Sequence, residues 1–133
     1  MLLDTGVLVN LYALDQPQHR AVARWLEDFR GQLHTVEAVL TETAYFLPIR
    51  LRPVIAELAA RGELHVPHLD TAAYRRIAEL FSKYADLDPD WADLALVWRA
   101  EQTGIGRMAT LDVKDFCAYR IHGRKRFELA LLA

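Results

Sequence analysis

The sequence predicts an α/β fold: one domain in which a short central parallel sheet is flanked by helices on both faces. Three observations support this prediction. Five short apolar segments, each of strand length, recur along the chain. Segments with helical spacing of apolar residues separate them, and strands that alternate with helices favour a parallel sheet. The 133 residues contain no linker, repeat or low-complexity stretch, so we expect a single domain over residues 1–133.

Helix-starting and helix-ending residues define the segments between the strands. The predicted strands cover residues 1–3, 33–36, 64–66, 108–111 and 127–132. The predicted helices cover residues 6–14, 17–31, 36–47, 54–61, 71–84 and 88–104. Asp70 is a typical N-cap for the fifth helix. Asp88 and Pro89 are expected to start the sixth, and Gly104 is expected to end it.

The composition excludes several classes of protein. Hydrophobic residues make up 53% of the chain and charged residues 26%, which is ordinary for a packed domain. The net charge of −2 and the pI near 6.2 provide no overall basic field, so an anionic substrate would need a local basic patch or a metal ion. The single cysteine, Cys117, excludes an internal disulfide. With no signal-peptide pattern and no apolar run of membrane-spanning length, the sequence predicts a cytoplasmic protein without membrane association.

Acidic residues follow three of the predicted strands. Asp4 comes directly after the first strand, Glu42 lies in the helix after the second, and Asp112 follows the fourth. In open α/β sheets, ligands bind beyond the carboxyl ends of the strands. Taken alone, Asp4 also suits the N-cap of the next helix. The triplet at residues 4–6, Asp-Thr-Gly, occurs in aspartic proteases as well, but this chain lacks the hairpin signals of their all-β frame.

Asp93 is the acidic residue with the clearest functional signal. It lies in a predicted helix that is apolar around most of its circumference. A carboxylate buried without a partner costs several kcal/mol, so a compensating cation is expected. That cation is either a metal ion or an arginine, for instance Arg99 or Arg107. Structural roles in the loop and the first helical turn are expected for three neighbouring acids, Asp86, Asp88 and Asp90.

The acids of four separate segments together indicate a metal site. Asp112 and Asp115 are spaced i, i+3 and can face the same way. Glu42 borders the apolar face of its helix, whereas Glu37 points about 140° away and is expected to be solvated. Carboxylates gathered at one place repel each other, and a hard divalent cation with oxygen ligands relieves that repulsion. The five histidines show no zinc-type spacing.

Four short motifs, in this order along the chain, resemble the PIN domain family, and specifically its VapC-type ribonuclease toxins. The motifs are LLDT at residues 2–5, VLTE at 39–42, YADLDPDWADLALV at 84–97 and TLDVKDF at 110–116. The resemblance covers nearly the whole chain and implies a metal-dependent endoribonuclease that uses Mg²⁺ or Mn²⁺ and leaves 5′-phosphate and 3′-hydroxyl ends. It implies that the catalytic and metal-binding residues are Asp4, Glu42, Asp93 and Asp112, supported by Thr110 and Asp115.

The same resemblance implies three partners: an RNA substrate, a cognate antitoxin that covers the acidic site, and a second copy of the chain in a homodimer. The basic run at residues 120–126 supplies the candidate RNA-binding residues, which are Arg120, Arg124, Lys125 and Arg126. A solvated loop explains this run equally well. Trp91 and Trp98 are bulkier than the family pattern beside Asp93, and they either narrow the approach to the site or belong to the core.

Other acidic α/β proteins fit the sequence less well. A haloacid-type phosphatase needs an aspartate two residues after Asp4, where Gly6 stands. A receiver domain needs its acceptor aspartate after a central strand, but the third predicted strand leads into Pro67 and His68. Two alternatives stay open: a catalytically inactive PIN-like module that binds RNA or protein, and a PIN nuclease that belongs to no toxin pair.

Overall fold

A five-stranded parallel sheet forms the centre of the structure, a computed structural model that describes residues 1–131. Its strands are β1 (Leu2–Leu3), β2 (Leu33–His34), β3 (Leu64–His65), β4 (Arg107–Ala109) and β7 (Glu128–Leu129). Two further strands, β5 (Arg120–Ile121) and β6 (Lys125–Arg126), pair with each other outside this sheet. The order across the sheet is β3-β2-β1-β4-β7, and every pairing in it is parallel. All five predicted strands are present in shortened form; residue 132 of the last one lies outside the described residues.

Helices flank the sheet, and the predicted α/β fold is confirmed. Within residues 1–131 they are α1 (Thr5–Tyr12), α2 (His19–Asp28), α3 (Glu37–Phe46), α4 (Arg52–Ala60), α5 (Thr71–Lys83), α6 (Trp91–Thr103) and α7 (Val113–Ala118). Short 3₁₀ turns at Ile49–Leu51 and Ala85–Leu87 precede α4 and α6. As predicted, Asp70 caps α5, because its carboxylate accepts a hydrogen bond from the Ala73 N–H at 2.8 Å. None of the helices described is long and apolar enough to cross a membrane.

The predicted start of α6 is wrong by three residues. Asp88 has a φ of 48° and ends the preceding 3₁₀ turn instead of opening the helix. Asp90 is the N-cap, because its carboxylate accepts a hydrogen bond from the Asp93 N–H at 2.8 Å. This contact satisfies one of the free N–H groups of the first turn, so the helix begins at Trp91. At the other end Gly104, with a φ of 76°, terminates the helix as predicted.

One hairpin occurs although the sequence shows no signal for it: β5 and β6 form a small antiparallel hairpin. The Arg124 N–H donates to the Ile121 carbonyl at 3.1 Å and closes the turn. The two central residues, His122 and Gly123, have φ values of 51° and 70°. Positive φ at both positions is typical of the mirror-image turns that suit the twist of a hairpin. The turn was not recognisable from the sequence, because its first central residue is His122, where asparagine or aspartate is usual.

The strand order places one crevice at the centre of the sheet. From β1 the chain passes to β2 and β3 on one side, and it later returns to β4 on the other side of β1. In open α/β sheets the ligand site lies at such a reversal, outside the carboxyl ends of the strands. The Asp4 N–H donates to the Ala109 carbonyl at 3.1 Å, which joins the ends of β1 and β4. The segments that follow these two strands therefore meet at the reversal point.

Candidate functional site

Asp4 lies at the reversal point and is held by two hydrogen bonds. Its side chain is nearly buried, at 7% exposure. One carboxylate oxygen accepts from the Thr5 N–H at 2.7 Å, and the other accepts from the Thr110 hydroxyl at 2.8 Å. Burial raises the pKa of Asp4 to about 6, against the lowering effect of these hydrogen bonds, and the charges of Asp90 and Asp112 add to the rise. Asp4 thus caps α1, as its local sequence suggested, and also faces other carboxylates.

Asp93 is the most perturbed carboxylate of the site. It lies in the first turn of α6 at 5% exposure, and the Tyr119 hydroxyl donates to Oδ2 at 3.5 Å. Burial raises the pKa of Asp93 to about 8, and the next contribution comes from the charge of Asp4. The charges of Asp90, Asp115 and Asp112 raise it further. Such a raised pKa means that the surroundings of Asp93 provide too little positive charge or hydrogen bonding to stabilise its ionised form.

Neither arginine considered from the sequence compensates Asp93. Arg99 donates to His34 at 3.1 Å and to Gln102 at 2.7 Å, and Arg107 pairs with Glu128 at 3.5 Å. Within residues 1–131, no lysine, arginine or histidine forms a salt bridge with Asp93. The cation that a buried carboxylate requires is therefore not supplied by a side chain of the described residues.

Asp112 and Asp115 bring two more carboxylates to Asp93. One carboxylate oxygen from each of the three aspartates lies within 4.8 Å of the other two. Asp112 caps α7 by accepting from the Asp115 N–H at 3.2 Å, and its own N–H donates to the Thr110 hydroxyl at 2.9 Å. Burial raises the pKa of Asp115, and the adjacent Asp112 raises it further. Asp4, Asp93, Asp112 and Asp115 are called the acid cluster below.

Glu42 lies on α3 beside Asp90 and Thr5, and it is not part of the group of carboxylates gathered around Asp93 within residues 1–131. It is half-buried, and burial raises its pKa, followed by the charge of Asp90; the nearby Thr5 hydroxyl lowers it. That hydroxyl is itself buried and has no hydrogen-bond partner among the described residues. Glu37, in contrast, is exposed in the first turn of α3, as expected for a solvated residue.

Two side chains at the site were not assigned to it from the sequence. Asp90 has the structural role expected of it, because it caps α6, but its charge also raises the pKa values of Asp4, Glu42 and Asp93. Its position three residues before Asp93, on the same side of the helix start, is the signal that was available. Tyr119 is fully buried, and burial together with the charge of Asp93 raises its pKa. Only the path of the chain after α7, which brings Tyr119 back to α6, reveals this contact.

The two tryptophans beside Asp93 have different positions. Trp98 belongs to the core at 7% exposure. Trp91 is 49% exposed and, with Glu42 and Asp90 among others, lines an open cleft of about 640 Å³. Trp91 therefore lies at the surface beside Glu42 and Asp90, and none of the four aspartates of the acid cluster lines this cleft.

The candidate RNA-binding residues are not gathered at the acid cluster. The Arg120 guanidinium donates to the carbonyls of Cys117, Ala118 and Tyr119, which places it at the C-terminal end of α7. The other three, Arg124, Lys125 and Arg126, are exposed on the hairpin. The hairpin packs against the C-terminal part of α6, whereas Asp93 lies in the first turn of that helix.

The donor set of the acid cluster fits a hard divalent cation. It offers carboxylate oxygens alone, and no histidine or cysteine takes part in the cluster found within residues 1–131. Mg²⁺ and Mn²⁺ prefer such oxygen ligands, whereas zinc sites usually include nitrogen or sulfur. Burial first, and then the charges of neighbouring acids, raise the pKa values of Asp4 and Asp93, and no cationic side chain within residues 1–131 forms a salt bridge that offsets this. The buried Thr5 hydroxyl next to Asp4 also lies near Glu42, whose pKa it lowers.

The fold and the acid cluster define the class of protein: the chain belongs to the PIN domain family, whose profile matches residues 1–121. Among individual proteins, it is similar to Ribonuclease VapC26 of Mycobacterium tuberculosis, with 30% identity over 132 residues that cover 96% of this chain and 97% of that one. It is also similar in fold to the crystal structure of Mycobacterium tuberculosis VapC20, a sarcin-ricin loop cleaving toxin. That likeness has a TM-score of 0.78 at 17% identity and covers 85% of this chain and 90% of that one. The resemblance stated from the four motifs is confirmed.

Proposed function

We propose that this chain is a metal-dependent endoribonuclease that hydrolyses RNA phosphodiester bonds, and that it is the toxin of a type II, VapBC-type toxin–antitoxin pair. The observation that carries the proposal is the acid cluster at the sheet reversal, where two nearly buried aspartates form no salt bridge with any cationic side chain of residues 1–131. The substrate class is supported by two relatives, one named a ribonuclease and the other a toxin that cleaves the sarcin-ricin loop.

The proposed cofactor is Mg²⁺ or Mn²⁺, held by Asp4, Asp93 and Asp112, with Glu42 and Asp115 as the remaining acidic ligands or as supports. When bound, such an ion lowers the pKa of a water molecule and neutralises charge that develops on the phosphate. Thr110 donates to the Asp4 carboxylate at 2.8 Å and orients it, and the Tyr119 hydroxyl makes a longer contact of 3.5 Å with Asp93. Such supporting donors hold metal-binding side chains in position.

Several further proposals follow from the same family relationship. A cognate antitoxin and a second copy of the chain are the proposed protein partners, as for VapC-type toxins in general. The proposed location is the cytoplasm, where RNA substrates are available and the single Cys117 stays reduced. We also propose that residues 1–133 form one domain, since the family profile already spans residues 1–121 without a break.

The direct test is an RNA cleavage assay with the purified chain freed of any antitoxin. Total cellular RNA is incubated with Mg²⁺, with Mn²⁺ and with a chelator, for the wild type and for Asp93→Asn. The matched control is Asp28→Asn, which makes the same chemical change at an exposed position of α2. We expect discrete fragments with either metal and none with the chelator. In Asp93→Asn we expect the cleavage rate to fall more than about 100-fold, because mutation of a residue that only hydrogen-bonds to a metal ligand already lowers activity about 10- to 100-fold.

The other outcomes of this assay distinguish the alternatives. A folded wild type that neither cleaves RNA nor binds Mn²⁺ contradicts the proposal and favours the inactive binding module. Equal activity in Asp93→Asn and Asp28→Asn contradicts the assignment of the acid cluster, even where RNA is cleaved.

A further inference from the structure

A second cleft, with basic side chains, lies beside the C-terminal end of α6. It is lined by Gly104, Ile121, His122, Arg124 and Lys125 and has a volume of about 350 Å³. We call it the hairpin cleft. Residues 122–125 lie beyond the part of the chain that the family profile matches.

The charge of the hairpin cleft is positive, although the chain as a whole carries −2. The Lys83 ammonium lies against the turn, 2.9 Å from where a Cβ on Gly123 would stand. Within residues 1–131, Lys83, Arg124, Lys125 and Arg126 form no salt bridge with a carboxylate. Two acids on the elements next to the cleft are already paired: Glu101 with Arg76 at 2.7 Å, and Glu128 with Arg107 at 3.5 Å. The cationic groups of the cleft therefore remain available to an anionic ligand.

The hairpin that forms the cleft is anchored by hydrogen bonds to Glu101 of α6 and to Tyr84. Glu101 accepts from the His122 N–H at 2.7 Å, and its carboxylate is fixed by two hydrogen bonds from Arg76 at 2.7 and 2.9 Å. The Arg120 N–H donates to the Tyr84 hydroxyl at 2.9 Å at the base of the hairpin, and Ile121 is buried. A turn anchored in this way presents its cations at defined positions, and this lowers the ordering cost of binding.

The acid cluster and the hairpin cleft are separated by nearly the length of α6. Asp93 and Gly104 are eleven positions apart, which at 1.5 Å per residue corresponds to about 16 Å. Lys114 and Cys117 are exposed on α7, the helix that leads from Asp112 to the hairpin. An extended polyanion of a few nucleotides spans such a distance, whereas a single phosphate does not.

We propose that the hairpin cleft binds backbone phosphates of the RNA substrate at a distance from the scissile bond, through Arg124 and Lys125, with Lys83 and Arg126 beside them. The inference rests on the proposed ribonuclease function. A remote phosphate site explains how a chain with a net negative charge and an acidic centre retains RNA. Phosphate contacts fix the register and the affinity of a nucleic acid without reading its sequence.

The test compares two double variants in RNA binding. Arg124→Gln/Lys125→Gln removes two charges from the cleft, and Arg20→Gln/Arg24→Gln removes two exposed charges from α2. Both are made in the Asp93→Asn background, and binding of a labelled single-stranded RNA of about 30 nucleotides, longer than the usual single-strand site sizes, is followed by fluorescence anisotropy across salt concentrations. We expect the cleft variant to bind about 10-fold more weakly near 0.15 M salt, with a salt slope lower by about 1 to 2, and the α2 variant to bind like the parent.

Substrate length supplies the second arm, in the cleavage-competent chain. A trinucleotide reaches only about 7 Å at ~3.4 Å per stacked nucleotide, so it cannot contact both sites. We expect the cleft variant to raise KM for the long RNA about 10-fold and to leave the trinucleotide KM unchanged. Equal effects of the two double variants, or equal effects on both substrates, would overturn the proposal. Failure of the proposed function has a different signature, since the wild type then cleaves no RNA with any metal.

Discussion

At the residue scale, Thr110 joins the two halves of the acid cluster. It is fully buried, donates to Asp4 at 2.8 Å and accepts from the Asp112 N–H at 2.9 Å. Asp4 follows β1 and Asp112 follows β4, so one hydroxyl aligns the residues on both sides of the sheet reversal. The family resemblance implied a supporting role for Thr110, and its bond to Asp4 agrees with that role. The second bond depends on how the chain turns into α7, which the spacing alone does not define.

Two substitutions of Thr110 distinguish the contribution of its hydroxyl group from that of its packing. We expect Thr110→Val to lower the rate of RNA cleavage by about 10- to 100-fold, because the carboxylate of Asp4 loses the donor that orients it. Thr110→Ser keeps the hydroxyl and should retain most of the activity. The measurement is kcat and KM on one RNA substrate for both variants, with thermal unfolding as the control for folding. Similar losses in Val and Ser would show that packing, and not the hydrogen bond, is what matters.

The raised carboxylate pKa values predict how the stability of the metal-free protein depends on pH. An aspartate with a folded pKa above its ordinary value of 3.8 stabilises the fold while it is protonated and loses that contribution as the pH rises through the folded pKa. For Asp93 this loss runs from its ordinary pKa of 3.8 to about pH 8, for Asp4 from 3.8 to about pH 6, and each levels off above the folded pKa. Burial lowers the pKa of His34 to about 4, so His34 acts in the opposite direction below pH 6.5. Burial also lowers the pKa of the Met1 amine from 8.0, which opposes the fall near pH 8, so the comparison with Asp93→Asn isolates the contribution of Asp93.

In a chelator, we expect the free energy of unfolding to fall between pH 6.5 and 8.5, with a shallower fall in Asp93→Asn. Urea denaturation at several pH values in this interval measures it, and Asp28→Asn serves as the matched control. Saturating Mn²⁺ should reduce the pH dependence of the wild type, because a bound cation favours the ionised carboxylates. A wild-type stability that rises with pH in the chelator would contradict the burial and repulsion described for Asp93.

At the element scale, α6 connects the functional parts of the molecule. Its first turn carries Asp93 and is capped by Asp90, and its last turns carry Glu101, which holds the hairpin. The helix is buried around most of its circumference, as its apolar sequence predicted. Its start was predicted three residues too early because Asp88-Pro89 resembles a helix opening. The competing N-cap at Asp90 is chosen by its contact with the Asp93 N–H.

Two substitutions of Asp90 distinguish its role as the N-cap of α6 from the effect of its negative charge. Asp90→Ser keeps a good N-cap and removes the negative charge, whereas Asp90→Ala removes both. We expect the alanine variant to be about 1 kcal/mol less stable than the serine variant, which is the usual value of such a cap. Urea denaturation at one pH in a chelator gives this difference. Two variants of equal stability would show that the side chain of Asp90 does not cap α6 in solution.

At the scale of the whole molecule, the sequence predicted the arrangement of sheet and helices and the segments that supply the acids. It did not predict the side-chain contacts between distant segments. Alternating strands and helices predicted the parallel sheet, and acids after β1 and β4 predicted where Asp4 and Asp112 would meet. The contact of Tyr119 with Asp93 and the anchored hairpin depend on long-range packing, which local patterns do not encode. The alternative ion pairs of Asp93 were decided in the same way, since Arg99 and Arg107 find other partners in the fold.

The central claim is that carboxylates from separate segments of the chain form one cation site. Crystals of the wild-type protein grown or soaked with Mn²⁺ test it most directly, through the anomalous scattering of the ion. We expect an anomalous peak among Asp4, Asp93, Asp112 and Asp115, and its loss in Asp93→Asn. A chain that cleaves RNA with Mn²⁺ but binds the ion elsewhere, or that shows no peak at the acid cluster at saturating Mn²⁺, would contradict it.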